Sequence, residues 1–505
     1  MANDDKKEDA TMALPAECDY LVIGGGATGM AFCDSLLHGL SSANTSTTTR
    51  SAVKVVLVDQ HPQPGGQWND SYSFVQLHQP SDMYGVESER LEPSIDDGEE
   101  KHRATRQEIL EYYQRVVTKL QRDFDFRFVG GVGFDMQQLT TMPTDKLYNV
   151  STMNGRTNAT IKVHKKVVDA RYLQPDLPVH IPPKFGFDAS KIACVPVNDL
   201  GVTKNSNNNH FVVIGGGKTG MDAVVYLLTK LNIPADNVTW VVPHEAWITA
   251  REHIGSCMDF LHACASLAKR QPNLKEYVTS KDFFQNGFLK WEHDGHVYRM
   301  TNDEIPTKFK DATLSKPEMT LLQSVTNIIR QGRVTKILDN GSLEFEDGTS
   351  YQVPSTPEKT LYIHCSAGAF NYSYNTTKPP PIFDSDRIVL QDVYGTPGFC
   401  FVGSLLGKLE SLPMSDDDEK NAMCLAPTPS PSRSPLGPSG GDIGCLTRDH
   451  GLVQRLLNLQ QWLQRPELRD WLVGHRLFNL RHKSVEDMER MVDETVAVLE
   501  EAAIL

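Results

Sequence analysis

Two stretches of the chain carry glycines at the spacing that lets backbone hold a phosphate chain. YLVIGGGATG covers Tyr20–Gly29 and places Gly24, Gly26 and Gly29 in G-x-G-x-x-G, and FVVIGGGKTG covers Phe211–Gly220 and repeats the pattern with Gly215, Gly217 and Gly220. The first glycine of such a motif makes a tight turn, the second lets backbone approach a pyrophosphate, and the third lets a helix lie close on a strand. The free N–H groups and positive dipole end of the following helix complete the anion site. Lys218 and Thr219, inside the second turn, add a cation and a hydroxyl. Asp59 ends the apolar run VVLVD; a carboxylate there accepts from ribose hydroxyls and repels a 2′-phosphate. That favours FAD or NAD over NADP at the first turn. In the second unit, VTWVVPHEAWITAR, the acid position aligns with Pro243, followed by His244 and Arg251. A missing acid beside a guanidinium suits a 2′-phosphate, whose oxygens fit the bidentate fork, whereas Glu245 argues the other way. The balance favours NADPH, with NADH the alternative.

These groups need strands before the turns and helices after them. Tyr20–Ile23 supplies the first strand, 27–40 reads as its helix, and VVLVD is the second strand. Asp59 lies 30 residues after Gly29, against about 20 in the compact pattern, because the Ser/Thr-rich loop SSANTSTTTRS intervenes. In the second unit the polar stretch TKNSNNNH precedes the strand, and 221–230 reads as the helix. Two fingerprints about 190 residues apart are far more specific than either alone and imply two dinucleotide sites.

Composition bounds the function. With 505 residues, 39% hydrophobic and 23% charged, the chain reads as an ordinary globular protein of several domains. The net charge of −14, with no long basic block, argues against nucleic-acid binding. No apolar run reaches the roughly 18 residues of a membrane span, and the polar N-terminus is not a signal peptide. Nine scattered cysteines without a C-x-x-C pair point to free thiols and a cytoplasmic home. His253, Cys257, His262 and Cys264 match no zinc spacing, so no metal is expected.

Immediately after Asp59 comes HPQPGGQWNDSYSFVQLHQP. With the two glycine units around it, this stretch resembles the flavin-dependent monooxygenases of the flavin-containing, two-dinucleotide group, in which a GG-x-W segment follows the first unit. The resemblance covers about 19–403. It implies an α/β fold of two Rossmann-like units, the NAD(P) unit inserted in the FAD unit, with FAD at the first and NADPH at the second. It further implies that Gly66, Gln67 and Trp68 lie along the FAD and that His78 and Gln79 approach the isoalloxazine as catalytic candidates. LYIHCSAGAF would be a strand of the FAD unit touching the flavin, and GFCFVGSLLG a late strand and turn at Gly403 closing over it. The expected reaction is hydride transfer from NADPH to the flavin, then electron transfer to molecular oxygen or a small organic substrate. An oxidase or dehydrogenase without oxygen insertion, or a non-catalytic dinucleotide-binding regulator, are the alternatives.

The chain departs from that pattern twice. PPKFGFDASKIACVPVNDLG lacks the histidine of F-x-G-x-x-x-H, and VVDARYLQP has Arg171 where glycine is usual. The expected organisation is a disordered lead at 1–15, FAD-binding segments at 16–204 and 331–410, an NAD(P)-binding domain at 205–330, an extended linker at 411–447 and C-terminal helices at 448–505. ILDNGSLEFEDGTSYQV reads as a hairpin turning at Asn340-Gly341, and LSKPEMTLLQSVTNIIRQGRV as an amphipathic helix.

Overall fold

The structure is a computed structural model that describes residues 14–43, 53–92, 102–153, 155, 158–172, 175–201, 208–367, 380–395, 398–414, 416–426, 445–478 and 484–505. Most of the expected lead, the Ser/Thr-rich loop and the Pro/Ser-rich part of the expected linker therefore lie outside the described residues.

The chain opens with β1 (Glu17–Ile23), α1 (Ala27–Ala43), β2 (Val55–Val58), α2 (Arg106–Asp123), β3 (Phe126–Val129), β4 (Val132–Phe134), α3 (Gln137–Thr141), β5 (Leu147–Thr152) and β6 (Asn158–Asp169). It continues through β7 (Cys194–Pro196), β8 (His210–Ile214), α4 (Lys218–Thr229), β9 (Val238–Val241) and β10 (Trp247–Ala250). Next come α5 (Cys257–Ala268), α6 (Leu274–Val278), α7 (Asp282–His293), β11 (Val297–Tyr298), β12 (Phe309–Leu314), α8 (Lys316–Gln323) and β13 (Ile328–Ile329). The strands β14 (Val334–Ile337), β15 (Leu343–Phe345), β16 (Ser350–Tyr351), β17 (Thr360–His364) and β18 (Arg387–Val389) follow. The chain closes with α9 (Phe399–Ser411), α10 (Asp417–Ala422), α11 (Gly451–Leu463), α12 (Pro466–Gly474) and α13 (Val485–Glu501).

The first large sheet runs β3-β2-β1-β6-β5-β4 with β18 also paired to β6; β3, β2, β1, β6 and β18 are parallel, and β4 and β5 antiparallel. The second runs β13-β9-β8-β17-β7 and is parallel throughout. Every strand of the second lies, in sequence, between β6 and β18 of the first. β2, β8, β9 and β17 are buried at every residue, the signature of parallel strands covered on both faces.

The two sheets share one plan. Gly24 N donates to Val58 O at 2.9 Å and Gly215 N to Val241 O at 3.1 Å; Ala170 N reaches Ile23 O and Cys365 N reaches Ile214 O, both at 3.0 Å. A Cβ on Gly29 would stand 2.0 Å from Gly24 O, and one on Gly220 1.9 Å from Gly215 O. In both units, therefore, the third glycine is where the helix backbone rests on the turn.

Several expectations change here. LYIHCSAGAF supplies β17, between β8 and β7 of the second sheet and not in the first; Gly368 lies outside the described residues. The strands of the second sheet extend from Cys194 to His364, past both edges of 205–330, and among the described residues of 331–410 only β18 joins the first sheet. GFCFVGSLLG is helical, not a strand and turn: Gly403 lies inside α9, where a Cβ would stand 2.3 Å from Thr28 O on α1. Gly403 is the contact that lets two helices approach, so the apolar run buries a helix face. The expected long helix after Ser315 stops at Gln323, and β-branched Ile328–Ile329 pairs with β9 instead. Within the expected extended linker, 417–422 is a short helix with Lys420 Nζ 2.6 Å from the buried Glu410. The hairpin forms as read, with Gly341 at φ +85° in its turn.

Candidate functional site

At the first turn, Asp59 is buried and its carboxylate is nearly used up. Oδ2 accepts from Gly25 N at 2.6 Å, and Oδ1 accepts from His61 N and Nδ1, both at 2.8 Å. Three of about four acceptor positions on the carboxylate are therefore taken. His61 also reaches Asp70 Oδ2 with Nε2 at 2.8 Å, and His180 Nε2 lies 3.0 Å from the same oxygen. With a carboxylate on each ring nitrogen, chiefly through the Asp59 hydrogen bond and against the cost of burial, His61 is raised to about 9 and is an imidazolium at neutral pH. His61 and Asp70 were missed in the sequence, although the D-x-H spacing was there to be read.

The GG-x-W segment presses on the turn by backbone. Gly65 N donates to Gly25 O at 2.9 Å, and Gly66, at φ +53°, would bring a Cβ to 2.7 Å from Gly26 Cα. Gln67 is exposed. Trp68 is buried and donates Nε1 to Tyr84 OH at 2.8 Å. Arg171 keeps its Nε 3.4 Å from Asp169 Oδ1, and its Cγ lies 3.0 Å from where a Cβ on Gly24 would be; the side chain covers the first glycine.

At the second turn, a Cβ on Gly217 would meet nothing within 4 Å. Lys218 is buried, pairing with Asp222 one helical turn on, and Asp222 Oδ2 accepts from Tyr72 OH at 2.7 Å. Thr219 also bonds the Tyr72 hydroxyl. Phe74 stacks on Tyr226 with centroids 3.9 Å apart. The 72–78 segment of the first unit thus docks on α4 of the second and brings the two turns to one seam.

The acid position shifts by one residue. Asp59 N donates to Val129 O, and its counterpart by register is Val242 N, which donates to Ile329 O. The position is therefore Val242, buried and apolar, not Pro243. His244 stands exposed beyond it. Glu245 is buried, with Oε1 accepting from Met300 N and Oε2 from Arg330 Nη2 at 2.7 and 2.6 Å, so it does not face a ribose as a free acid.

Arg251 is not an open guanidinium at the strand end. It is 7% exposed, pairs with Glu318 at 2.6 Å, and donates to His78 O and Thr313 O at 2.8 and 3.2 Å. Arg103 lies 3.2 Å from Glu318 on its other side. Burial opposes ionisation of Glu318, but Arg251, Lys218 and Arg103 outweigh it and hold the carboxyl at about 2. His78 is half-buried beside this cluster, with Gln79 next to it. Burial, then Lys218, push the imidazole down to about 3, so His78 is neutral at physiological pH. Arg103 and Glu318 had no local sequence signal, because their partners lie far along the chain, whereas Asp222 pairs with Lys218 four residues before it.

No family model matches the chain. The uncharacterised proteins Mb2023 of Mycobacterium bovis and Rv2000 of Mycobacterium tuberculosis are each 30% identical to it over 477 residues, covering 92% of this chain and 78% of theirs. The chain belongs to their family. Among solved structures, it is similar to a flavin-containing monooxygenase from Stenotrophomonas maltophilia, with 13% identity, 81% of this chain and 100% of that one covered, and a TM-score of 0.43. The OTEMO complex with FAD and NADP gives 16% identity, 78% and 82% coverage and a TM-score of 0.45. Likenesses at this level add nothing to the strand order and turn geometry described above. Among the described residues no helix is long and apolar enough to cross a membrane.

Proposed function

We propose that the chain is an FAD-dependent oxidoreductase that takes hydride from NADPH and acts in the manner of a flavin monooxygenase on a small organic substrate. One observation carries the reading: two dinucleotide-type turns, each between parallel strands of a separate sheet, are joined along one seam by the 72–78 segment, and each middle glycine leaves room beside it. A Cβ on Gly217 would meet nothing within 4 Å and one on Gly26 only Gly66 Cα at 3.5 Å, whereas the third glycines are filled by backbone. The residues fit the cofactors: N–H groups at 26–29 and 217–220 would hold the pyrophosphates, Asp59 would offer its remaining acceptor to the FAD ribose, and Thr219 borders the second turn. The apolar Val242 puts no carboxylate at this position to repel a 2′-phosphate, with the exposed His244 just beyond, and so favours NADPH over NADH.

When bound, the flavin accepts the hydride and supplies the oxygen-reactive centre. The chain's own residues bind, orient and exclude water. Tyr72, Asp222 and Lys218 lock the two units together, and Arg251 fixes the backbone at His78. His78, neutral at working pH, serves as a hydrogen-bond partner and not as a proton donor. Nine free thiols fit a cytoplasmic setting.

Heating the purified protein and identifying the released chromophore tests this: one FAD per chain is expected, and a colourless protein releasing none sinks it. The cover of Arg171 over Gly24 favours one other reading, a dinucleotide sensor without turnover. NADPH bound but never oxidised, with or without oxygen, would support that instead.

A further inference from the structure

Residues 81–91 have no regular structure beyond the turn Ser81–Met83, so their backbone groups need partners from elsewhere. Three amides find them nearby: Val86 N donates to Tyr112 OH at 2.7 Å, Ser88 N to Asp34 Oδ2 at 3.1 Å, and Gly85 N to Cys400 Sγ at 3.4 Å. The carbonyls are gathered by one side chain almost 400 residues further on. Arg476 donates Nη1 to Asp82 O at 3.1 Å and Nε to Val86 O at 3.0 Å; its Nη2 reaches Tyr84 O, Val86 O and Glu89 O at 2.8, 2.6 and 3.3 Å. Trp471 adds Nε1 to Glu87 Oε2 at 3.1 Å. A planar fork of five donors can serve four carbonyls at once; an ammonium on a flexible stem cannot.

The loop held in this way reaches the first glycine turn by two routes. Tyr84 OH accepts from Trp68 Nε1 at 2.8 Å and from Tyr113 OH at 3.0 Å, with the Trp68 and Tyr84 rings edge-on at 84° and 6.1 Å. Trp68 follows Gly66, whose backbone presses on Gly26. Ser88 meets Asp34 through both its amide and its hydroxyl, the latter at 2.5 Å, and Asp34 is buried on α1, the helix that starts at the turn.

We propose that Arg476 is a positioning residue for FAD: the C-terminal helices act as a strap that fixes 82–89 and, through Tyr84 and Ser88, sets Trp68 and α1 around the cofactor. This rests on the assignment of FAD to the first turn. Among the described residues, the hydrogen bonds of Arg476 go to this loop.

The test uses the full-length protein with Arg476→Ala, Arg476→Lys, Tyr84→Phe and, as control, Arg469→Ala, which removes a half-exposed pair with Glu489 on the same helices. The readouts are FAD affinity of the stripped protein, the visible band shape and fluorescence of the bound flavin, and melting temperature. Arg476→Ala should lose at least tenfold in FAD affinity and alter the flavin band, Arg476→Lys should recover only part of this, and Arg469→Ala should match wild type. Tyr84→Phe, which deletes one hydroxyl and its two buried hydrogen bonds, should alter the flavin band while lowering the melting temperature less than Arg476→Ala does, and it stands in if Arg476→Ala does not fold. Variants with a wild-type flavin band and FAD affinity, whatever their melting temperature, overturn the strap alone. A wild-type protein that binds no FAD overturns the cofactor assignment and the strap with it.

Discussion

Replacing Gly217 with alanine separates a glycine kept for a ligand from one kept for the fold. Gly217 has φ −86° and ψ −178°, extended backbone that alanine adopts freely, and its Cβ would meet nothing within 4 Å. Alanine there narrows the unfolded ensemble by about 0.4–1 kcal/mol but is a poorer N-cap for α4 than glycine, so the two effects offset and the melting temperature of the stripped protein should change little. If the empty space is where a pyrophosphate lies against backbone N–H groups, the methyl displaces it. Losing one hydrogen bond to a charged group is worth about 1.5–3 kcal/mol, or about tenfold to 150-fold in affinity. Gly220→Ala should behave in the opposite way. Its Cβ would stand 1.9 Å from Gly215 O, a backbone atom that also accepts from Trp240 Nε1 at 3.0 Å, so α4 must move, at about 1–3 kcal/mol or more. NADPH titration and thermal melts of both variants decide the matter, with FAD retention as an internal control that Gly217→Ala should leave intact. Unchanged NADPH affinity in Gly217→Ala would refute the phosphate reading, and an unchanged melting temperature in Gly220→Ala would refute the packing one.

Four more outcomes are expected. Arg251→Ala should weaken NADPH and NADH equally and lower the melting temperature, because a buried pair broken on one side loses about 3–5 kcal/mol, with Arg103 at 3.2 Å from Glu318 drawing the loss to the lower end; selective loss of NADPH would restore a 2′-phosphate role. His61 has a raised pKa, so its contribution is complete below about 6.5 and is lost as pH rises through about 9. FAD retention and stability should therefore fall across that window in wild type and be flatter in His61→Gln; parallel pH curves would count against the Asp59–His61–Asp70 bridge. For His78, neutral above about 3, the pH–rate profile between 5 and 8 should keep its shape in His78→Gln even if the rate drops; loss of an ionisation in that range would show His78 acting as acid or base. Gly403→Ala should destabilise by about 1–3 kcal/mol, since its Cβ would strike Thr28 O and push α9 away from the start of α1; an unchanged melting temperature would count against its role at the helix crossing.

What the sequence made legible were the elements whose signals are local. β1, β2, β8 and β9 are short apolar runs ending in glycine or turn residues, and buried parallel strands read that way wherever they fall. Partnership was not legible. LYIH has the pattern of a parallel strand but carries nothing to say which sheet it joins; that is fixed by Cys365, whose backbone packs against Gly215. Arg251 reads as an available cation because its partner, Glu318, lies beyond three helices. Gly403 reads as a turn because glycine at a helix–helix crossing and glycine in a turn look alike without the opposing backbone. The acid position slipped from Val242 to Pro243 for want of a register that only the hydrogen bonds to Val129 and Ile329 supply. Arg476 had no local signal at all.

The central claim, two dinucleotides working across one seam, is tested most directly by mixing the purified protein with NADPH under argon and following the visible spectrum. The account predicts a flavin absorbance that bleaches as about one NADPH per chain is oxidised and returns when oxygen is admitted. A flavin that stays oxidised in excess NADPH, or NADPH oxidation in a protein without flavin, would contradict it.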